Sequence, residues 1–363
     1  VINYYTTHES RIWLRKDKPM TVDPSAVAVP DYYADIPIVR EGIARKYSNI
    51  EALDKEVGVL LDQLEADGVI GNSVIFFWSD HGGNLLRQKR AVGDSGLHVP
   101  LIIRYPDGYR AGETVSRMVS LMDLGPTVMS LIGINPPDYM DGKAFAGPFE
   151  EAQRDYIYGS ADRFDESTDM QRSVLDGRYV YIKNFMPELP LIYRNRYREQ
   201  IPMNKHLIEL DAEGKLEGDA AYIFMKTKPL EELYDLKNDP YEVHNLANDP
   251  AHAEKLKLLR SQLSQWQASI KDRGFTPESE IIREFWPGMI QPVTADVKIQ
   301  QQNNTIVLSC ATEGASIAYQ LSDAIGTDYW QLYSKPLLLQ PQEKISTRAI
   351  RIGYKASKIT VKN

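Results

Sequence analysis

The segment Val74-Ile75-Phe76-Phe77-Trp78-Ser79-Asp80-His81-Gly82-Gly83 ends an apolar run abruptly in an acid, an imidazole and two glycines. A carboxylate oxygen and an imidazole nitrogen are donors that suit a divalent cation. Lys89 and Arg90 follow within one short loop. Their cationic N–H groups suit an anion. A cation site beside an anion site is the equipment for chemistry on a phosphate or sulfate ester. Each residue also has a plainer use. Asp80 and His81 fit a capped loop with the imidazole bonded to backbone. Lys89 fits a solvated loop lysine, which is where most lysines lie. His98 stands just before Val99-Pro100 and reads by default as structural or surface-exposed. His8 follows Tyr4-Tyr5-Thr6-Thr7 and is the side chain type that titrates nearest neutral pH, so it can protonate a leaving group. Arg194, Arg196 and Arg198 interleave with Tyr193 and Tyr197, which fits a solvated face or contact with a polyanionic sugar.

An apolar strand that ends in polar residues delivers them to the rim of an α/β sheet, where such folds place ligands. Residues 74–79 read as such a strand, too compact and apolar to be half-exposed. Residues 1–7 read as another, ending at the polar cluster Thr6 to Arg11. Between them, Ile43, Tyr47, Ile50, Leu53, Val57, Leu60, Leu61 and Leu64 recur at three- and four-residue spacings, which predicts a helix stopping near Gly68. Further strands are expected at 99–105, 155–160 and 178–184. A helix should start at Asp123, which caps it, and a long amphipathic one should cover 250–271. Strands alternating with helices imply a layered α/β domain. After Trp286-Pro287-Gly288 the pattern becomes β-type alternation, as in Ile306/Leu308, Ile317/Tyr319/Leu321 and Ile345/Thr347/Ala349. That predicts two domains, 1–288 and 289–363, the second a small all-β sandwich.

The chain has 363 residues, enough for both domains to bury a core. A formal net charge of -8 argues against a broad nucleic-acid surface, although a pocket can be positive on an acidic protein. No apolar run is long enough to span a bilayer. Cys310 is the single cysteine, so no intrachain disulfide forms. The 21 tyrosines suit carbohydrate binding, or plain core packing. No signal peptide is visible, and the opening Val1-Ile2-Asn3-Tyr4-Tyr5 has the pattern of mid-strand, so an upstream segment is expected.

Ser79 to Gly83, then Lys89, then Gly96-Leu97-His98-Val99-Pro100-Leu101-Ile102-Ile103 resembles the second signature region of the type I sulfatases, in the alkaline phosphatase superfamily. Asn3 to Ser10 is similar to that family's strand ending in an active-site histidine. Glu232-Leu233-Tyr234-Asp235-Leu236, Asp239-Pro240 and Asn245-Leu246 follow in the family's order, so the resemblance covers residues 1–270. It implies a sulfatase-like layered α/β fold. It implies Asp80 and His81 as two ligands of a calcium ion, the second a variant of the family's asparagine. Lys89 corresponds to the lysine that bridges sulfate and leaving oxygen, and His8 to the histidine near the scissile oxygen. Arg90 and His98 fall where substrate contacts occur, with Arg163 in Ser160-Ala161-Asp162-Arg163 as a third.

Two family features are absent from this sequence. There is no Cys-x-Pro-Ser-Arg motif to yield the formylglycine nucleophile, and no N-terminal Asp-Asp pair. The expectation is a C-terminal portion of a larger sulfatase that acts on a sulfated carbohydrate with its own N-terminal portion as partner, and is inactive alone. The alternatives are a phosphonate or phosphate monoester hydrolase of the same superfamily, or an inactive binder of sulfated glycans. Gly314 to Leu321, Tyr333 to Leu337 and Arg348 to Ser357 resemble the small β-sandwich at the C-terminus of chitobiase and hexosaminidase-type proteins. That resemblance implies a secreted or periplasmic enzyme working on sugars.

Overall fold

A computed structural model describes residues 1–362, with only the backbone of Phe164 and Asp323. The chain forms two compact units, Val1–Asp272 and Arg273–Asn363.

The first unit is mixed α/β. Residues 1–7, expected as a strand, form none; a turn at Thr6-Thr7 leads into the short helix α1 (Ser10–Leu14). A strand needs a neighbour to take up its N–H and C=O groups, and no described strand pairs with this segment. Helix α2 (Pro37–Ala66) begins with proline at its first position and stops at Gly68, whose φ of 69° suits a residue without a side chain. Its periodicity is helical as predicted, but burial ends early. Ile43 is in the core, whereas Tyr47 and Ile50 are exposed. Strand β1 (Ile75–Trp78) leads through the polar loop to α3 (Asp94–Leu97) and β2 (Leu101–Arg104), which pairs with β1 antiparallel. All four residues of β1 are half-buried, not enclosed on both faces as expected, because this sheet has two strands. Helix α4 (Leu124–Leu131) follows a turn capped by a reciprocal Ser120–Asp123 box.

A second sheet has the order β3 (Ile157–Phe164), β4 (Ser167–Leu175), β5 (Tyr179–Asn184), β6 (Glu231–Asp235), every pairing antiparallel. Strands β4 and β6 were not anticipated. Asp165, at φ 52°, turns the β3–β4 hairpin, and a bulge between Ala161 and Arg163 re-aims the end of β3. Helices α5 (Pro202–Ala212), α6 (Gly218–Tyr222) and α7 (Ala253–Ser269) complete the unit. Leu256, Leu259 and Leu263 of α7 pack on Val174, Tyr181 and Leu233 of the sheet. Val92, from the polar loop, packs with Val180, Ile182 and Tyr234 of the same sheet. The loop thus lies on a sheet while Leu85 and Leu86 anchor it in the α2 core with Tyr33, Val39 and Ile43.

The glycines of the motif are required by close approach. Gly82 donates its N–H to Gly96 O at 2.8 Å, and a Cβ on Gly82 would lie 2.0 Å from the Ser95 carbonyl oxygen. A Cβ on Gly96 would lie 2.2 Å from Ala91 O. The two halves of the sequence motif are therefore stitched backbone to backbone.

In the second unit, helix α8 (Glu278–Phe285) precedes two antiparallel sheets. One has the order β10 (Gln331–Leu332), β9 (Ser316–Leu321), β12 (Ile345–Ile350), β13 (Thr360–Lys362). The other has the order β11 (Leu337–Leu338), β8 (Thr305–Ser309), β7 (Lys298–Gln302). Ile306 and Leu308 of one sheet meet Tyr319, Ile345 and Ala349 of the other in a common core. The division falls after Asp272, not at 288. Trp286 Nε1 donates to Gly353 O at 2.9 Å, which ties the preceding segment to the sandwich.

Gly82→Ala should destabilise the protein by about 1–3 kcal/mol, since backbone must shift to admit the methyl group. Gly58→Ala on α2, where nothing lies within 4 Å, should instead add about 0.5–1 kcal/mol. Urea unfolding of both variants checks this; equal effects would contradict the packing described.

Candidate functional site

The loop of residues 79–93 is fastened on three sides. Asn84 Nδ2 donates to Thr7 O at 2.8 Å, bringing the His8-Glu9 segment against it. Tyr33 Oη donates to Leu86 O, and Lys46 Nζ donates to Gln88 Oε1 at 3.0 Å from α2. Arg87 donates to the backbone carbonyls of Tyr241, at 2.5 Å, and of Glu242.

Glu9 sits at the centre, 1% exposed. Its Oε1 lies 3.2 Å from Lys89 Nζ and 3.1 Å from Arg90 Nη2, and its Oε2 accepts from Arg90 Nη1 at 3.1 Å. Arg90 also donates to Asp165 Oδ2 at 2.7 Å. Burial opposes the Glu9 charge, but the bonds from Arg90 and the nearby Lys89 outweigh it and hold this carboxyl below its ordinary pKa. The result is a fixed pair of cations. Arg87 and Arg90 have left-handed backbones, φ 63° and 71°, each costing about 1 kcal/mol. Such strain persists only where surrounding contacts over-determine the position.

His8 is lowered from its ordinary pKa, by burial first and then by the charge of Lys89, with His81 adding to the effect. These couplings put His8, Lys89 and His81 in one electrostatic neighbourhood. Ser10 N–H donates to His8 Nδ1 at 3.3 Å. That bond leaves the ring proton on Nε2, so neutral His8 presents an N–H donor.

Asp80 and His81 follow β1 as expected. His81 Nδ1 bonds Gly82 O at 2.7 Å, which puts its proton there and leaves the Nε2 lone pair available. That Nε2 is 3.6 Å from Asp80 Oδ1. The pair suits part of a cation shell. Among the described residues no group of three or more His, Cys, Asp or Glu could hold a metal, and calcium takes about six to eight oxygen ligands. These two residues therefore do not complete a shell.

A cavity of about 90 Å³ opens beside this loop. Lys89, Arg90 and, from the end of β3, Arg163 line it; His98 does not. His98 is instead exposed and 3.3 Å from Asp94, which raises its pKa. Two residues of the wall were not foreseen as buried. Arg198, read from sequence within a basic aromatic face, is 5% exposed. Asp169 of β4 is bonded to buried Lys228 at 2.6 Å. Glu9, adjacent to His8, was also missed; a buried acid next to a candidate catalytic histidine carries no periodic signal.

Residues 6–134 match the Sulfatase family model, and residues 82–194 match the model described as N-sulphoglucosamine sulphohydrolase, C-terminal. Together these two matches make residues 6–194 similar to sulfatases. An "Ulvan-active sulfatase" of Formosa agariphila is 40% identical over 360 residues, covering 98% of this chain and 60% of that protein. Human N-sulphoglucosamine sulphohydrolase is 26% identical over 290 residues, 76% of this chain and 57% of that protein. The chain thus spans about three fifths of the length of these curated relatives. A crystal structure from Bacteroides fragilis, described as a candidate sulfatase, shares the fold at TM-score 0.50 and 19% identity, over 73% of this chain and 51% of that one. Among the described residues no helix is long and apolar enough to cross a membrane.

Glu9→Gln should cost about 3–5 kcal/mol of stability, because it leaves Lys89 without its counter-charge and Arg90 with Asp165 alone. Urea denaturation measures this, and a loss under 1 kcal/mol would show that Glu9 is not the anchor. Glu242 supplies a pH test. Burial raises its pKa to about 7 against the charge of Arg87. The folded state then holds a proton that the unfolded state has released, so this contribution is full below pH 4.5 and lost as pH rises through 7. Glu242→Gln should flatten the decline in stability between pH 5 and about 7.5. An unchanged slope would mean that Glu242 does not carry it.

Proposed function

We propose that this chain is part of a sulfuric ester hydrolase acting on a sulfated carbohydrate. The observation that carries the reading is the buried Glu9, which holds Lys89 and Arg90 as fixed cations beside His8. The sulfatase family match and the relatives named for ulvan and N-sulphoglucosamine support it. Preorganised donors aimed where negative charge develops are commonly the largest contribution to catalysis.

In this reading Lys89 binds the anionic oxygens of the ester and stabilises charge on the leaving oxygen. His8 presents its Nε2–H to that oxygen and stabilises the negative charge that develops there by hydrogen bonding as the bond to sulfur breaks. The neutral form that His8 adopts is suited to hydrogen bonding rather than to charge pairing. Arg90 and Arg163, which line the cavity, contact the substrate. Asp80 and His81 give two donors to a divalent cation, taken as calcium; when bound, such an ion polarises an anionic oxygen. The nucleophile is taken to be a formylglycine on an upstream portion of the same protein. Export to the periplasm or the medium belongs to the same proposal, because a polysaccharide has to be met outside the cell.

Lys89→Ala, in the protein expressed from its natural gene, should lower sulfate release from a sulfated saccharide by a hundredfold or more, about 3 kcal/mol. Ion chromatography of released sulfate reads the effect. Release at the unmodified rate would refute the role given to Lys89.

A further inference from the structure

Arg198 is an anomaly in the charge pattern of the cavity. Its side chain is buried, and its Nη2 donates to Tyr193 O at 2.6 Å. Among the described residues it forms no ion pair with a carboxylate. Arginine carries five donors, and Arg198 is one of the residues that line the cavity. Burial, and then the charge of Arg90, pull its pKa down to about 10, against Glu9, Tyr33 and Glu199. It is still cationic at neutral pH. A buried cation without its own counter-charge is costly, and a protein retains one where a ligand supplies the charge.

The neighbouring acids are already committed. Asp169 is bonded to Lys228 at 2.6 Å. Glu232 accepts from Asn184 and from Tyr234, both at 2.6 Å. Glu242 accepts from Asp94 N at 2.9 Å and faces the charge of Arg87. None of these three needs Arg198. Asn195 holds the segment in place: Arg198 N donates to Asn195 Oδ1 at 2.8 Å, and Asn195 Nδ2 donates to Asp165 at 2.7 Å, the same carboxylate that takes Arg90. Arg198 and Arg90 are thus positioned through one network. The volume of about 90 Å³ holds several waters at roughly 10–15 Å³ each, and so has room for a carboxylate or sulfate group.

We propose that Arg198, in the wall of the cavity that Lys89 and Arg90 also line, takes a second anionic group of the saccharide, a carboxylate or a second sulfate, beside the ester group held by Lys89. The inference rests on the hydrolase reading and narrows its substrate to saccharides with two anionic groups. A planar guanidinium fork matches either group in bidentate fashion.

Calorimetric titration of the full chain tests this with three probes: a neutral monosulfated saccharide, the same unit extended by a uronate, and a disulfated saccharide. The wild type should bind at least one dianionic probe about tenfold more tightly than the neutral one, as a charge-assisted hydrogen bond gives. Which dianionic probe wins identifies carboxylate or sulfate. Arg198→Met should bring that preference within about twofold, and Arg198→Lys should restore part of it. No preference in the wild type, or one that survives Arg198→Met, overturns the proposal. If Arg198→Met fails to fold, the wild-type comparison and Arg198→Lys decide. Lys89→Ala separates the two readings: unchanged affinity for the monosulfated probe counts against the ester site, whatever Arg198 does.

Discussion

Glu9 is a carboxylate almost wholly removed from water and shared by two cations, Lys89 and Arg90. Each charge alone would be expensive to bury, and together they satisfy one another through hydrogen bonds of 3.1 to 3.2 Å. The arrangement joins residues 7–9 to a loop some eighty positions later, with Asn84 closing the same contact through Thr7. Without it, the loop after β1 would hold its lysine on a flexible four-carbon stem. With it, the ammonium group has a fixed position at the edge of a cavity. Fixed charge is what stabilises a transition state, because no reorganisation is needed when negative charge develops.

The remaining anchors serve that one contact. Arg87 is tied to the carbonyls of Tyr241 and Glu242, and Tyr32 lies under its guanidinium at 5.2 Å. Glu242 in turn accepts from the backbone at Asp94, where α3 begins. Gly82 and Gly96 allow the two backbones to touch. Strained φ angles at Arg87, Arg90, Asp165 and Glu242 concentrate in this network. Backbone strain collected around paired charges is the pattern expected where a loop is built to hold side chains in fixed positions.

Local patterns were readable from the chain, and pairing was not. The three- and four-residue spacing of α2, its stop at Gly68 and the motif from Asp80 to Pro100 all have local causes. The strand expected at residues 1–7 failed because apolar composition does not supply a hydrogen-bonding neighbour. Strand β4 was missed because its polar residues break any apolar alternation; Asp169 and Arg172 are buried through ion pairs with Lys228 and with Asp162 and Asp272. Arg198 was hidden for the same reason. A run of alternating arginines and tyrosines looks solvated until tertiary contacts single out one arginine for burial, while Arg194 stays outside with Glu199. Of the candidate site, His8, Lys89 and Arg90 were named from residue type and motif, whereas Glu9, which pairs with two of them, gave no signal.

The most direct measurement is a crystal structure of this chain soaked with a sulfated saccharide. The account predicts an ester sulfate with an oxygen about 3 Å from Lys89 Nζ, with Glu9 still bridging Lys89 and Arg90. A saccharide bound with its sulfate away from Lys89, or a Lys89 released from Glu9 and turned to solvent, would contradict it.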